Sequence, residues 1–234
     1  MIDSIQQPDP STFVRPVSGR DVIVVTLLSL AGAAVGVAVL AGFIVWRGAA
    51  AAPWGLAVLG VTMLVGLALG LRVRGIRGSD VGLVKPARPL RLLWQIPVAW
   101  LVPLVVGGAL ARLLLGDAAN ETNTAAVTDA AADPVALAAA LATAVVFAPL
   151  TEEILFRRVL LGWLEGRWGR MVAVIVTALL FGAVHGIPAV IVVMAFLGAS
   201  LALLTVDQRS IVPALVVHML NNAVATGLAL AVLG

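Results

Sequence analysis

The chain has no cysteine, one lysine and two histidines, and only 12% of its 234 residues are charged. Without cysteine there is no disulfide framework, no thiolate metal site and no cysteine nucleophile. The scarcity of charge excludes a soluble domain with an ordinary core, because 62% of the residues are hydrophobic and the mean hydropathy is +1.11. The net charge of +3 comes from arginine, with Lys85 the lone lysine. Arginines that flank apolar runs report topology and do not point to nucleic acid. What remains is a multi-pass membrane protein with length for one compact bundle and no large extramembrane domain.

Apolar runs fall at 22–46, 49–71, 92–115, 135–164, 171–187, 188–206 and 211–234, judged against the roughly 20 residues that a crossing needs. The pattern predicts an all-α, polytopic transmembrane helical bundle of about seven spans, with six to eight as the range. The first run is too long for a signal-peptide core and is read as a retained span. The fifth is short and ends at Gly186-Ile187-Pro188, a turn signal. Residues 1–21 form a polar N-terminal tail, 22–134 the first three spans, and 135–234 the segment that carries the chemistry.

Charge asymmetry orients the bundle. The loop 72–91 holds Arg72, Arg74, Arg77, Lys85, Arg88 and Arg91 against Asp80, and 157–170 holds Arg157, Arg158, Arg167 and Arg170. The loop 116–134 has no lysine or arginine but carries Asp117, Glu121, Asp129 and Asp133. The positive-inside rule then predicts a cytoplasmic N-terminus and an outside C-terminus. An arginine- and alanine-rich, lysine-poor composition suits the cell membrane of a GC-rich bacterium.

Against this background Glu152 and Glu153 stand out, side by side in an apolar run, as do His185 and His218. A charge at membrane depth costs roughly 2.5–3.5 kcal/mol on insertion scales, so intramembrane ionisable groups mark function by default. Glu153 and Arg157 are four apart in the favourable acid-first order and predict an ion pair on one helix face. Glu152 is turned about 100° away and is the carboxylate left for chemistry. Pro149 cannot donate the helical hydrogen bond, which frees a carbonyl close to the acids. Phe181 lies one turn before His185, and His218 one turn before Asn222. Glu152 and His185 are nearly equidistant from the turn at Trp168-Gly169, so an antiparallel hairpin sets them level. The hairpin tip, with Arg157, Arg158, Glu165, Arg167 and Arg170, is expected to protrude into the cytoplasm. The site is then expected within the bilayer, nearer its cytoplasmic side.

Glu152-Glu153-x-x-x-Arg157, Phe181-x-x-x-His185 and His218-x-x-x-Asn222, in this order on successive spans, resemble the three motifs of the CPBP intramembrane proteases. These are the CAAX prenyl proteases and bacteriocin-processing enzymes, also called Rce1-like or Abi. The resemblance covers about residues 135–230 and implies an intramembrane endopeptidase acting on a membrane-associated peptide or protein. It implies that Glu152 and His185 activate water, that His218 and Asn222 stabilise the oxyanion, and that Glu153, Arg157 and Phe181 support them. No cofactor follows with certainty. A glutamate and two histidines are zinc-compatible ligands, although there is no His-Glu-x-x-His motif and asparagine ligates zinc poorly. Two other readings compete: a non-catalytic immunity or scaffold protein of the same fold, and a proton-coupled transporter. The transporter predicts an inverted repeat that is not evident between the first three spans and the rest.

Overall fold

A computed structural model describes residues 16–232, so most of the predicted N-terminal tail lies outside the described residues. Seven apolar helices make up the bundle: α1 Gly19–Arg47, α2 Gly55–Val73, α3 Leu92–Leu115, α4 Pro134–Trp168, α5 Arg170–Ala183, α6 Pro188–Gln208 and α7 Val212–Ala231. Six are long and apolar enough to cross a membrane. The exception is α5, whose 14 residues rise about 21 Å, short of a hydrocarbon core about 30 Å thick. The predicted seven spans thus become six and one short helix. The physical reason lies in the turn: Gly186 takes φ +75° and Pro188 opens α6, so 184–187 reverse the chain and extend no helix.

Large apolar side chains point outward, as a lipid environment requires. Leu27, Val105 and Ile175 are 59%, 68% and 52% exposed, while the interior mixes leucine, valine and alanine with buried polar side chains. The α1–α2 pair shows the principle best. Gly32 on α1 faces Thr62 and Gly66 on α2, Gly36 lies against Leu59 and Thr62, and Gly70 on α2 lies against Val25, so that the two backbones touch. A Cβ on Gly66 would lie 2.2 Å from the Leu28 carbonyl oxygen, and one on Gly32 2.2 Å from that of Thr62. At the start of α1 a Ser18–Asp21 capping box closes the helix, and buried Asp21 also pairs with Arg74 after α2 at 2.8 Å. The two helices are therefore antiparallel and pinned at one end.

Three apolar clusters tie the helices together, the first of them joining this pair to α4. Val25, Leu67, Ile154 and Val159 bring α4 against α1 and α2. Leu161, Leu164, Ala173 and Ala202 join α4, α5 and α6. Ala99, Leu197, Leu201, Ala214 and Val217 join α3, α6 and α7. Arg157 and Arg158 belong to this interior, at 0% and 3% exposure, and not to a protruding tip. Arg158 is held by the carbonyl of Asp80, so the tip of the α4–α5 hairpin is shorter than its charge suggested.

Gly66→Ala is expected to cost about 1–3 kcal/mol by forcing the α1–α2 backbones apart. Gly42→Ala meets nothing within 4 Å and serves as the control. Melting temperatures in detergent check this: a fall for Gly66→Ala alone is expected, and equal behaviour of the two contradicts the close contact.

Candidate active site

Helix α4 is not a uniform α-helix. Two π-helical segments, Thr143–Phe147 and Ile154–Leu160, flank the turn Ala148–Glu153 that carries both glutamates. Such π segments are rare and concentrate at functional sites. The first has a specific consequence. The Ala148 N–H bonds back to the Thr143 carbonyl, five residues earlier. In that register the Ala144 carbonyl looks for the N–H of residue 149, which is Pro149 and has none. Asn222 on α7 supplies the missing donor, with its Nδ2 2.8 Å from the Ala144 oxygen. Its Oδ1 accepts from Asn221 at 3.3 Å.

Glu153 is fully buried and lies between Arg157 and His218. Its Oε2 is 3.3 Å from Arg157 Nε, as the i,i+4 spacing predicted, and its Oε1 accepts from His218 Nδ1 at 2.9 Å. The second contact crosses from α4 to α7. No sequence signal distinguished it, because Arg157 already accounted for Glu153 locally. The Arg157 guanidinium also lies over the Phe181 ring, 4.4 Å from its centroid. Among the described residues none of its three nitrogens, nor Glu153 Oε2, makes a hydrogen bond, so the pair is a charge contact and the aromatic face supplies part of the compensation that a buried cation needs. Phe181 presents edges to His185 and His218, with centroids 5.1 and 5.4 Å away. Gly198 on α6 leaves room for it, since a Cβ there would lie 3.1 Å from the ring.

Glu152 behaves differently. Its side chain is 24% exposed, and its Oε2 lies 3.7 Å from His218 Nε2 with no hydrogen-bond partner. No partner for this carboxylate stands at helical spacing on α4; the fold brings His218 beside it. His185 lies in the turn after α5, where its Nδ1 is 2.8 Å from the Phe181 carbonyl. A carbonyl can only accept, so Nδ1 carries the proton and the neutral ring offers Nε2 as an acceptor.

Glu152, His185 and Asn222 all line one cavity of about 940 Å³, together with Ala148, Val190 and Met194. His218, 1% exposed, stands next to this wall, its Nε2 3.7 Å from Glu152 Oε2. The cavity runs to the segment 119–128, within the acidic loop that the charge pattern assigns to the outer side. His218 is six residues into α7, about 9 Å along the helix. Glu152 and His218 therefore lie toward the basic end of α7, while the cavity extends to the opposite end of the bundle. No direct hydrogen bond joins Glu152 to His185 among the described residues.

Among the described residues no three His, Cys, Asp or Glu side chains converge in a way that could hold an ion. His218 Nδ1 is held by Glu153 and His185 Nδ1 by a carbonyl, so Nε2 is the ring nitrogen that each keeps open.

Fold and composition define a polytopic, all-α membrane protein. Residues 134–224, which carry all three motifs, match the family described as Type II CAAX prenyl endopeptidase Rce1-like. The chain thus carries a CPBP/Rce1-like domain match from the start of α4 to the middle of α7. No curated protein and no solved structure matches it.

Glu153→Ala leaves Arg157 buried without its counter-charge and His218 without its orienting acceptor. Breaking a buried pair in this way costs about 3–5 kcal/mol. A large fall in melting temperature in detergent is the expected outcome; an unchanged melt contradicts the buried charge cluster.

Proposed function

We propose that this protein is an intramembrane endopeptidase that hydrolyses a peptide bond of a membrane-associated protein or peptide. The observation that carries the reading is the inequivalence of two adjacent carboxylates. Glu153 is sealed between Arg157 and His218, whereas Glu152 faces a cavity it shares with His185 and Asn222. The match of residues 134–224 to an endopeptidase family supports it.

In the proposed reaction a water lies between the Glu152 carboxylate and Nε2 of His185. Glu152 takes one proton from it as general base while the oxygen attacks the scissile carbonyl carbon. The resulting oxyanion takes hydrogen bonds from the second Nδ2 hydrogen of Asn222, the first being given to Ala144, and from Nε2 of His218. In this reaction His218 donates from both ring nitrogens, Nδ1 to Glu153 and Nε2 to the oxyanion. Glu153 holds the ring through Nδ1, as an acidic partner orients an imidazole in other hydrolases. Collapse of the tetrahedral species breaks the C–N bond, and the proton on Glu152 passes to the leaving amine. One water is consumed, and an acid and an amine are formed.

The matched family's description names a prenyl substrate. The reading offered for this chain is broader: a peptide held at the membrane, with no requirement for a prenyl group.

Cleavage of a fluorogenic membrane peptide by purified protein in detergent tests the proposal. Glu152→Gln is expected to lower the rate on the order of 10²–10⁴-fold, the usual contribution of a general base, with the fold retained. A chelator is expected to leave the wild-type rate unchanged. Activity retained in the Glu152→Gln variant would show that the base is misassigned.

A further inference from the structure

At the basic end of the bundle, away from the glutamates, a second cavity of about 440 Å³ lies between the start of α3, the start of α5 and the end of α6. Arg88, Arg91, Arg170 and Arg209 line it, with Asp207 the only acid on its wall. Asp207 pairs with Arg88 and Arg91, and Arg170 is 3.2 Å from Glu165. Arg209 pairs with no acid among the described residues. It also holds φ +49°, left-handed geometry at a helix C-terminus where glycine is the unstrained residue. The site is backed by rigid structure. Gln208, fully buried, donates to the Arg88 carbonyl at 3.1 Å and accepts from the Arg88 N–H at 2.9 Å. Gln95 donates to Asp207 at 2.9 Å. The arginines at the start of α3 are thereby fixed to the end of α6.

Below this cationic rim the wall turns apolar. Val98 and Leu203, both on the cavity wall, are 47% and 50% exposed, and Trp94 is 56% exposed between them and the arginines. Indoles favour the headgroup level of a bilayer, and arginines at helix ends lie in its polar layer. A soluble anion would satisfy the rim but not the apolar wall beneath it. The geometry points to a binding site for an anionic phospholipid, its phosphate headgroup among Arg91, Arg170 and Arg209 and an acyl chain along Val98 and Leu203. The occupant joins the ends of three helices, including α5 and α6, whose far turn carries His185. This inference does not depend on the hydrolase reading.

The test is thermal unfolding of the full chain in an uncharged detergent, titrated with phosphatidylglycerol, phosphatidylcholine or inorganic phosphate. Phosphatidylglycerol is expected to raise the melting temperature, and the other two are expected not to. Arg170→Gln/Arg209→Gln is expected to raise the lipid concentration needed for half the effect by about thirtyfold, since each of the two basic side chains contributes about 1 kcal/mol. Arg72→Gln/Arg77→Gln removes the same charge from the basic loop outside the cavity and is expected to respond like wild type. Arg209→Gly removes the guanidinium and relieves the backbone, so weakening there cannot be ascribed to misfolding. An equal response to phosphatidylcholine, a response reproduced by inorganic phosphate, or equal weakening in the loop variant would overturn the site.

Discussion

A fully buried ion cluster, Glu153 with Arg157 and His218, organises the second half of this molecule. Charges removed from water carry a large desolvation cost, which close partners offset only in good geometry. That condition fixes the relative position of α4 and α7 far more tightly than apolar packing could, because lipid tails compete equally well for leucine and valine. Phe181 adds α5 to the same cluster, lying under the guanidinium and beside both imidazoles. Three helices are thus held to one arrangement by a few contacts around two rings and a carboxylate.

The second glutamate draws its character from the first. Because Glu153 occupies Arg157 and one nitrogen of His218, Glu152 has no strong partner and turns to the cavity. The backbone contributes as well. A π register in α4 and Pro149 together strand the Ala144 carbonyl, and Asn222 takes it up. One amide hydrogen of Asn222 is spent on structure, which orients the other. The same residue therefore ties α7 to α4 and, in the proposed mechanism, faces the oxyanion.

Much of this was legible in the chain, and the limits follow physical lines. Hydropathy located α3 at 92–115, as the structure has it, because lipid forces long apolar runs into helices. Spacing of four paired Glu153 with Arg157 and Phe181 with His185, since neighbours on a helix face are local. What local spacing could not reach were contacts between helices: Glu153 with His218, Asn222 with Ala144, and Gly32 with Gly66. Composition also misled in two places. The run 171–187 looked like a span, yet its last residues form the turn that carries His185. Arg157 and Arg158 looked like part of a solvated tip, yet one sits on Phe181 and the other holds the Asp80 carbonyl.

The central claim is that Glu152 and His185 share one water, with His218 and Asn222 facing the carbonyl it attacks. A crystal structure of the Glu152→Gln variant with an uncleaved peptide, at a resolution that orders water, tests this most directly. The account predicts a water within about 3 Å of both the side chain at position 152 and Nε2 of His185. It also predicts the scissile carbonyl oxygen within similar reach of Asn222 Nδ2 and His218 Nε2. A peptide seated elsewhere in the bundle, or a carboxylate position and imidazole opening on separate compartments, would contradict it.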